Sequence, residues 1–138
     1  VTFYLDSSAI LRLVLREPGG LEELATSKRR VSSELLVVET LRTLDRLVRQ
    51  QRLRADELPA RRERVFAWLE SVDLVLLQRP ILARASEPFA TPLGTLDALH
   101  LATLLLWRDA NDERPVLATH DRDLAVAARA YGIEVRGV

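Results

Sequence analysis

"RPVLATHDRDLAVAARAYGIEV", residues 114–135, holds a strand, a helix and a second strand in close succession. "RPVLAT" is a short β-prone run and "HDRD" a polar turn. "LAVAARAYG" has helical character and is closed by Gly132, and "IEV" is strand-like again. A strand, a helix and a strand at this spacing form a parallel crossover, because parallel neighbours cannot be joined by a tight hairpin. One such unit predicts more of the same kind on either side of it.

The rest of the chain supplies them. "VTFYL" is β-rich and ends at Asp6, and "SSAILRLVL" repeats apolar residues at helical spacing until Pro18-Gly19-Gly20 breaks it. "LEELATS" starts another short helix. "RVSS" is a short strand running into Ser32 or Ser33 as N-cap, and a helix follows to about Arg49. On that helix Leu36, Val37, Leu41, Leu44, Leu47 and Val48 share one arc at about 100° per residue. "QQRLRADELPA" is a polar hinge before a helix from roughly Ala60 to Leu69. "VDLVLL" reads as a buried strand, and "PILARASEPFA" as a short helix with Pro80 in its first position. "GTLDALHLATLLLW", Gly94–Trp107, is a helix capped by Thr95 and apolar nearly all round from Ala98 onward. Strands alternating with helices throughout predict an α/β fold. It has a central parallel sheet of four to five strands with helices on both faces, in one domain spanning 1–138.

Composition excludes several functions. The formal net charge is zero, so no whole-molecule field draws in a polyanion. Such a ligand would be held by a local patch or through metal ions. With no cysteine there are no disulfides, thiolate nucleophiles or thiolate zinc sites, and His100 and His120 are the only nitrogen ligands. Lys28 is the only lysine and the five glycines are scattered, which removes the P-loop and the dinucleotide fingerprint. No apolar run approaches the ~20 residues of a membrane span. No charged-then-apolar leader precedes "VTFYLD", from which a cytoplasmic protein is expected.

What remains is a set of carboxylates. In open parallel sheets ligands bind beyond the carboxyl ends of the strands, where the strand order reverses. "VTFYLD" ends there in Asp6, and "VLAT" is followed closely by Asp121. Each acid has an ordinary explanation as well. Asp6, Asp121 and Asp123 suit helix caps, and Asp97 suits a first-turn acid favoured by the helix dipole. His100 suits a hydrogen-bonded structural histidine. Glu39 falls on the polar side of its helix with Arg42, Arg46 and Gln50, which predicts a solvated ion pair with Arg42. An aspartyl-nucleophile phosphatase would want a second aspartate where Ser8 stands. A phosphoacceptor receiver would need a late lysine, and none follows Lys28.

Taken together, "VTFYLDSSAIL", "SELLVVETLR", "LDALHLAT" and "VLATHDRDLAVAARAYG" resemble the PIN-domain nucleases and, within them, the VapC-type toxins of toxin–antitoxin pairs. The resemblance spans essentially the whole chain with its elements in family order. Carried over by position, it implies an acidic catalytic site of Asp6, Glu39, Asp97 and Asp121. Asp6, Asp97 and Asp121 would hold metal, Glu39 would do so directly or through water, and Asp123 would stand in register to assist. Ser8 and Thr119 match the family's small polar supports. The implied cofactor is Mg²⁺, with Mn²⁺ able to substitute, since hard oxygen donors without cysteine suit these ions and not Zn²⁺. The implied activity is an endoribonuclease that uses a metal-activated water and leaves 3′-hydroxyl and 5′-phosphate ends. The competing reading is a degraded PIN-like module acting by protein or RNA binding only, against which stand four filled acidic positions.

Partners follow in the same way. Arg42 and Arg46, on one helix near Glu39, are the candidates for holding RNA phosphates, with Arg49, Arg52 and Arg54 beyond them and Lys28-Arg29-Arg30 before the second strand. The resemblance implies a VapB-like antitoxin partner and a homodimer. "AILRLVL" with "LEELA" reads either as an apolar docking surface for that partner or as core.

Overall fold

Alternating side chains on one central strand divide the molecule into its layers. The computed structural model describes residues 1–138 and places β1 (Thr2–Leu5) in the middle of a five-stranded sheet. The other strands are β2 (Arg29–Ser33), β3 (Asp73–Val75), β4 (Val116–Ala118) and β5 (Glu134–Arg136). Their order is β3-β2-β1-β4-β5, and every pairing is parallel. The helices are α1 (Ser7–Val14), α2 (Leu35–Arg49), α3 (Leu58–Leu69), α4 (Arg79–Ala85), α5 (Thr95–Asn111) and α6 (Arg122–Arg129).

Phe3 and Leu5 point to one face, where with Val116 and Ala118 they meet Ile10, Val14, Leu36, Leu44 and Val65 from α1, α2 and α3. Tyr4 points to the other, where with Val31 and Leu117 it meets Leu101, Leu104 and Leu124 from α5 and α6. Period-two alternation on β1 and β4 thus feeds two separate cores. The expected three-layer α/β architecture forms, with five strands.

Several local expectations change. "AILRLVL" and "LEELA" are core and not a docking surface: Ile10, Val14 and Leu24 are fully buried beneath α3 and β2. "LEELATS" closes into a 3-10 turn, Glu22–Thr26, instead of a helix. Thr95 is the first helical residue of α5 and Gly94 takes the N-cap position without a side-chain bond. Neither serine caps α2. Glu34 occupies the N-cap position, Ser33 Oγ accepts from the Leu35 amide, and buried Ser32 donates to the Leu5 carbonyl. Arg29 and Arg30 lie within β2 and not ahead of it. The helix expected from Ala60 begins at Leu58, with Pro59 in its first turn, where a missing N–H costs nothing.

The strand order sets the position of the site. From β1 the chain moves outward through β2 to β3, then returns to add β4 on the opposite side of β1. Beyond the carboxyl ends of β1 and β4, the loops diverge and leave a crevice. No helix is long and apolar enough to cross a membrane.

The apolar helix α5 contains leucines with opposite surroundings, Leu101 fully buried and Leu96 half exposed. Leu101→Ala should therefore lower the unfolding free energy by about 2–5 kcal/mol, and Leu96→Ala by under ~0.5 kcal/mol. Urea melts of the two variants check this.

Candidate active site

Asp6 follows β1 directly and begins α1, yet its carboxylate makes no capping bond. It is turned into the crevice, 4% exposed, and accepts hydrogen bonds on Oδ2 from Ser8 Oγ at 2.6 Å and Thr119 Oγ1 at 2.8 Å. The cap explanation fails for this residue. A carboxylate this deeply buried is sustained only by such charge-assisted bonds. Ser8 and Thr119, the two expected supports, supply them.

Thr119 directly follows β4 and is held there by its own amide, which bonds the Arg136 carbonyl of β5 at 3.0 Å. Its hydroxyl oxygen also accepts from the Asp121 amide at 3.0 Å, and Ser8 Oγ accepts from the His120 amide at 2.9 Å. The β4–α6 turn is thereby tied to Asp6. Asp121 does cap α6, with Oδ1 accepting from the Leu124 amide at 2.9 Å. The cap uses one oxygen of this carboxylate and leaves the second without a bond to the protein. Asp123 is exposed in the first turn of α6.

Asp97 enters from the first turn of α5. Its pKa is raised to about 6, first by partial burial and then by the charges of Asp121 and Asp6, with a smaller push from Glu39 and an opposing pull from His100. Carboxylates from four separate elements are thus close enough to feel one another.

Glu39 does not form the surface ion pair expected from periodicity. Arg42 turns instead to Asp45, at 2.9 Å. The Glu39 side chain, 11% exposed, reaches from α2 across the carboxyl edge of the sheet to His100 Nε2 in a close hydrogen bond. Arg42 and Arg46 remain exposed on α2, one and two turns beyond Glu39. His100 is buried and hydrogen-bonded, as a structural histidine should be, but its partner is an acid of the cluster. Its other nitrogen, Nδ1, lies 2.9 Å from the hydroxyl of Tyr4. Burial pulls the His100 ring toward its neutral form. The hydrogen bond and charge of Glu39, then the charges of Asp6 and Asp97, outweigh this and leave its pKa raised. Tyr4 was not legible as part of the site, although alternation along "FYLD" sets it on the same side of β1 as Asp6.

Three of these side chains stand close enough together that the group could hold a metal ion. One ligand atom each from Asp6, Glu39 and His100 lie within 4.8 Å of one another, and the chain has no thiolate to favour a softer ion. The repulsion from Asp121 and Asp6 that adds to burial in raising the Asp97 pKa is what a divalent ion would relieve.

Removing one charge from the cluster tests its electrostatics. Asp97 binds protons more tightly folded than unfolded, so its penalty is absent below about pH 4 and grows as pH rises toward and past 6. In EDTA, Asp97→Asn should therefore stabilise the protein at pH 8, by roughly 1 kcal/mol after allowance for solvent screening at this partly buried group, and little at pH 4. Urea melts at the two pH values read the difference.

Comparison with known proteins agrees with this geometry. A family model described as the PIN domain matches residues 3–130. Ribonuclease VapC46 of Mycobacterium tuberculosis (strain ATCC 25618 / H37Rv) is 33% identical over 135 residues, which cover 96% of this chain and 94% of that protein. The crystal structure of VapBC2 from Rickettsia felis bound to a DNA fragment from their promoter contains a chain alike in fold. Its TM-score is 0.65 at 11% identity, over 99% of this chain and 98% of that one. A match along nearly the whole length, on a parallel sheet with its acids gathered at the strand-order reversal, means that the chain belongs to the PIN-domain family, in its VapC-type branch.

Proposed function

We propose that this chain is a single-domain, divalent-cation-dependent endoribonuclease, the toxin of a type II toxin–antitoxin pair acting in the cytoplasm. It hydrolyses RNA phosphodiester bonds to leave 3′-hydroxyl and 5′-phosphate ends. The observation that carries this reading is the convergence of Asp6, Glu39, Asp97 and Asp121, from four different elements, on the crevice beyond β1 and β4. A degraded module has no reason to keep four mutually repelling acids in one place, so the binding-only alternative is not favoured.

Asp6, Asp97 and Asp121 would hold the ion, Mg²⁺ or Mn²⁺, with Glu39 acting directly or through a water. When bound, such an ion supplies the positive charge that activates water and stabilises the departing 3′ oxygen. The chain's own residues do the rest. Ser8 and Thr119 fix the Asp6 carboxylate, so that it need not reorganise when an anionic substrate arrives. The cap bond at Leu124 fixes one oxygen of Asp121 and leaves the other for the crevice. Arg42 and Arg46, exposed on α2 beside Glu39, are placed to hold phosphates flanking the scissile bond.

The antitoxin and a second copy of the toxin are the expected protein partners. "AILRLVL" is buried, so their contact surface lies elsewhere. An apolar groove lined by Leu35, Val38, Leu74, Leu76 and Leu77, with Val38 and Leu76 each 59% exposed, runs along α2 beside the edge strand β3. It is the surface best suited to an apolar segment of the antitoxin.

The purified chain, free of antitoxin, should cleave structured RNA in Mg²⁺ or Mn²⁺ and fall silent in EDTA, and end-group analysis should find 3′-hydroxyl termini. Cleavage that persists unchanged in EDTA would exclude the reading. Glu39→Gln keeps the size of the side chain and removes its charge. It should reduce cleavage at least ~100-fold while changing the unfolding free energy by only about 1 kcal/mol, because an amide still accepts from His100. A variant of full activity would return Glu39 to the role of a structural acid.

A further inference from the structure

The Glu39 side chain makes one hydrogen bond to the rest of the protein, with His100. The two residues belong to helices on opposite faces of the sheet, α2 and α5, and meet over its carboxyl edge. The imidazole is 1% exposed and fastened on its far side to Tyr4, which is fully buried in the central strand. The phenol hydroxyl is 2.9 Å from Nδ1, and the two rings stand edge-on at 5.8 Å and 82°. Nε2 faces Glu39 and lies 4.0 Å from Asp6 Oδ1. Both ring nitrogens are therefore engaged.

We propose that His100 is a positioning residue of the acidic site: anchored by Tyr4, it holds the Glu39 carboxylate inward against Asp6, and it is not itself a metal ligand. The hydrogen bookkeeping supports this. With the ring neutral and Tyr4 donating to Nδ1, the remaining hydrogen sits on Nε2, and with the ring protonated both nitrogens carry one. In both of these states Nε2 donates to Glu39 and has no lone pair to offer a cation, whereas the other neutral tautomer, with Nδ1 donating to Tyr4, would set a bare Nε2 lone pair against the Glu39 carboxylate and repel it. Without that bond Glu39 would have two other places to go. Arg42 is one turn away on the same helix, and open solvent lies beside it. A buried phenol, an imidazole and a carboxylate in line thus transmit the rigidity of the central strand to the most remote of the four acids. The inference rests on the reading of the cluster as a divalent-cation site.

Three variants and two readouts besides activity test it. His100→Leu fills the volume without a donor, His100→Gln returns an N–H near the Nε2 position, and Tyr4→Phe keeps the ring and removes the anchor. The wild type is expected to bind Mn²⁺ in calorimetry. His100→Leu should weaken that affinity at least ~10-fold and lower kcat for RNA cleavage ~100-fold with KM little changed. His100→Gln should recover most of both losses, and Tyr4→Phe should fall between wild type and His100→Leu. Equal Mn²⁺ affinity and kcat in wild type and His100→Leu would overturn the proposal. So would equal, severe loss of Mn²⁺ in His100→Leu and His100→Gln, the behaviour of a direct ligand. Nitrogen-15 NMR of the imidazoles decides independently of activity and of whether His100→Leu folds, with the His100 signal assigned by its absence in His100→Gln. A hydrogen retained on Nε2 with and without Mg²⁺, and shifted in Glu39→Gln, supports the proposal, whereas its loss on Mg²⁺ addition refutes it. Should the wild type neither bind Mn²⁺ nor cleave RNA, the cation reading fails while the NMR signature still decides the Tyr4–His100–Glu39 chain.

Discussion

A carboxylate buried at the carboxyl end of the central strand is the constraint around which this molecule is arranged. Asp6 cannot be taken out of water unless its oxygens are bonded, and the donors must come from residues that the fold brings to it. Ser8 arrives with the next helix. Thr119 arrives from the opposite end of the sequence, because β4 pairs with β1. The parallel register of these two strands is thus a condition for charge burial as well as a source of backbone hydrogen bonds. The β4–α6 turn, tied back through the amides of His120 and Asp121, is fixed by the same need.

Parallel topology also explains why the acids can gather at all. α1, α2 and α6 leave the carboxyl ends of their strands, and α5 begins at the same edge before descending to β4. The positive ends of the helix dipoles converge there and compensate part of the negative charge. Asp97 is the partly buried member whose pKa rises to about 6, through burial first and then the charges of Asp121 and Asp6. The Asp6 carboxylate is met by hydroxyl donors and that of Asp121 by its cap bond.

The two faces of the sheet contribute unequally. The α1–α2–α3 face supplies Glu39 and the exposed arginines, whereas the α5–α6 face supplies Asp97, Asp121 and His100. The acids meet only over the sheet edge, where His100 bonds Glu39 directly between α5 and α2. Tyr4 links that bond to the strand beneath it. The geometry of the crevice is therefore set by contacts among residues far apart in sequence.

Much of this was legible before any coordinates. The strand–helix–strand pattern of 114–135 required a parallel sheet, and the β-prone "VTFYL" ending in aspartate located one wall of the crevice. Four segments in family order named the acids. Periodicity misread Glu39, because a helical wheel records which residues share a face of one helix and not what second helix that face meets. It divided the buried from the exposed residues of α2 well enough, yet could not show α5 crossing the edge of the sheet to claim a residue from the polar side. The same limit hid Tyr4 and left "AILRLVL" undecided between surface and core. Local sequence determines what each segment can become, since propensity, capping and alternation act over a few residues. Which acids share a crevice, and which histidine holds them, was decided by tertiary structure, because charge burial and repulsion depend on distances between segments that only the completed sheet brings together.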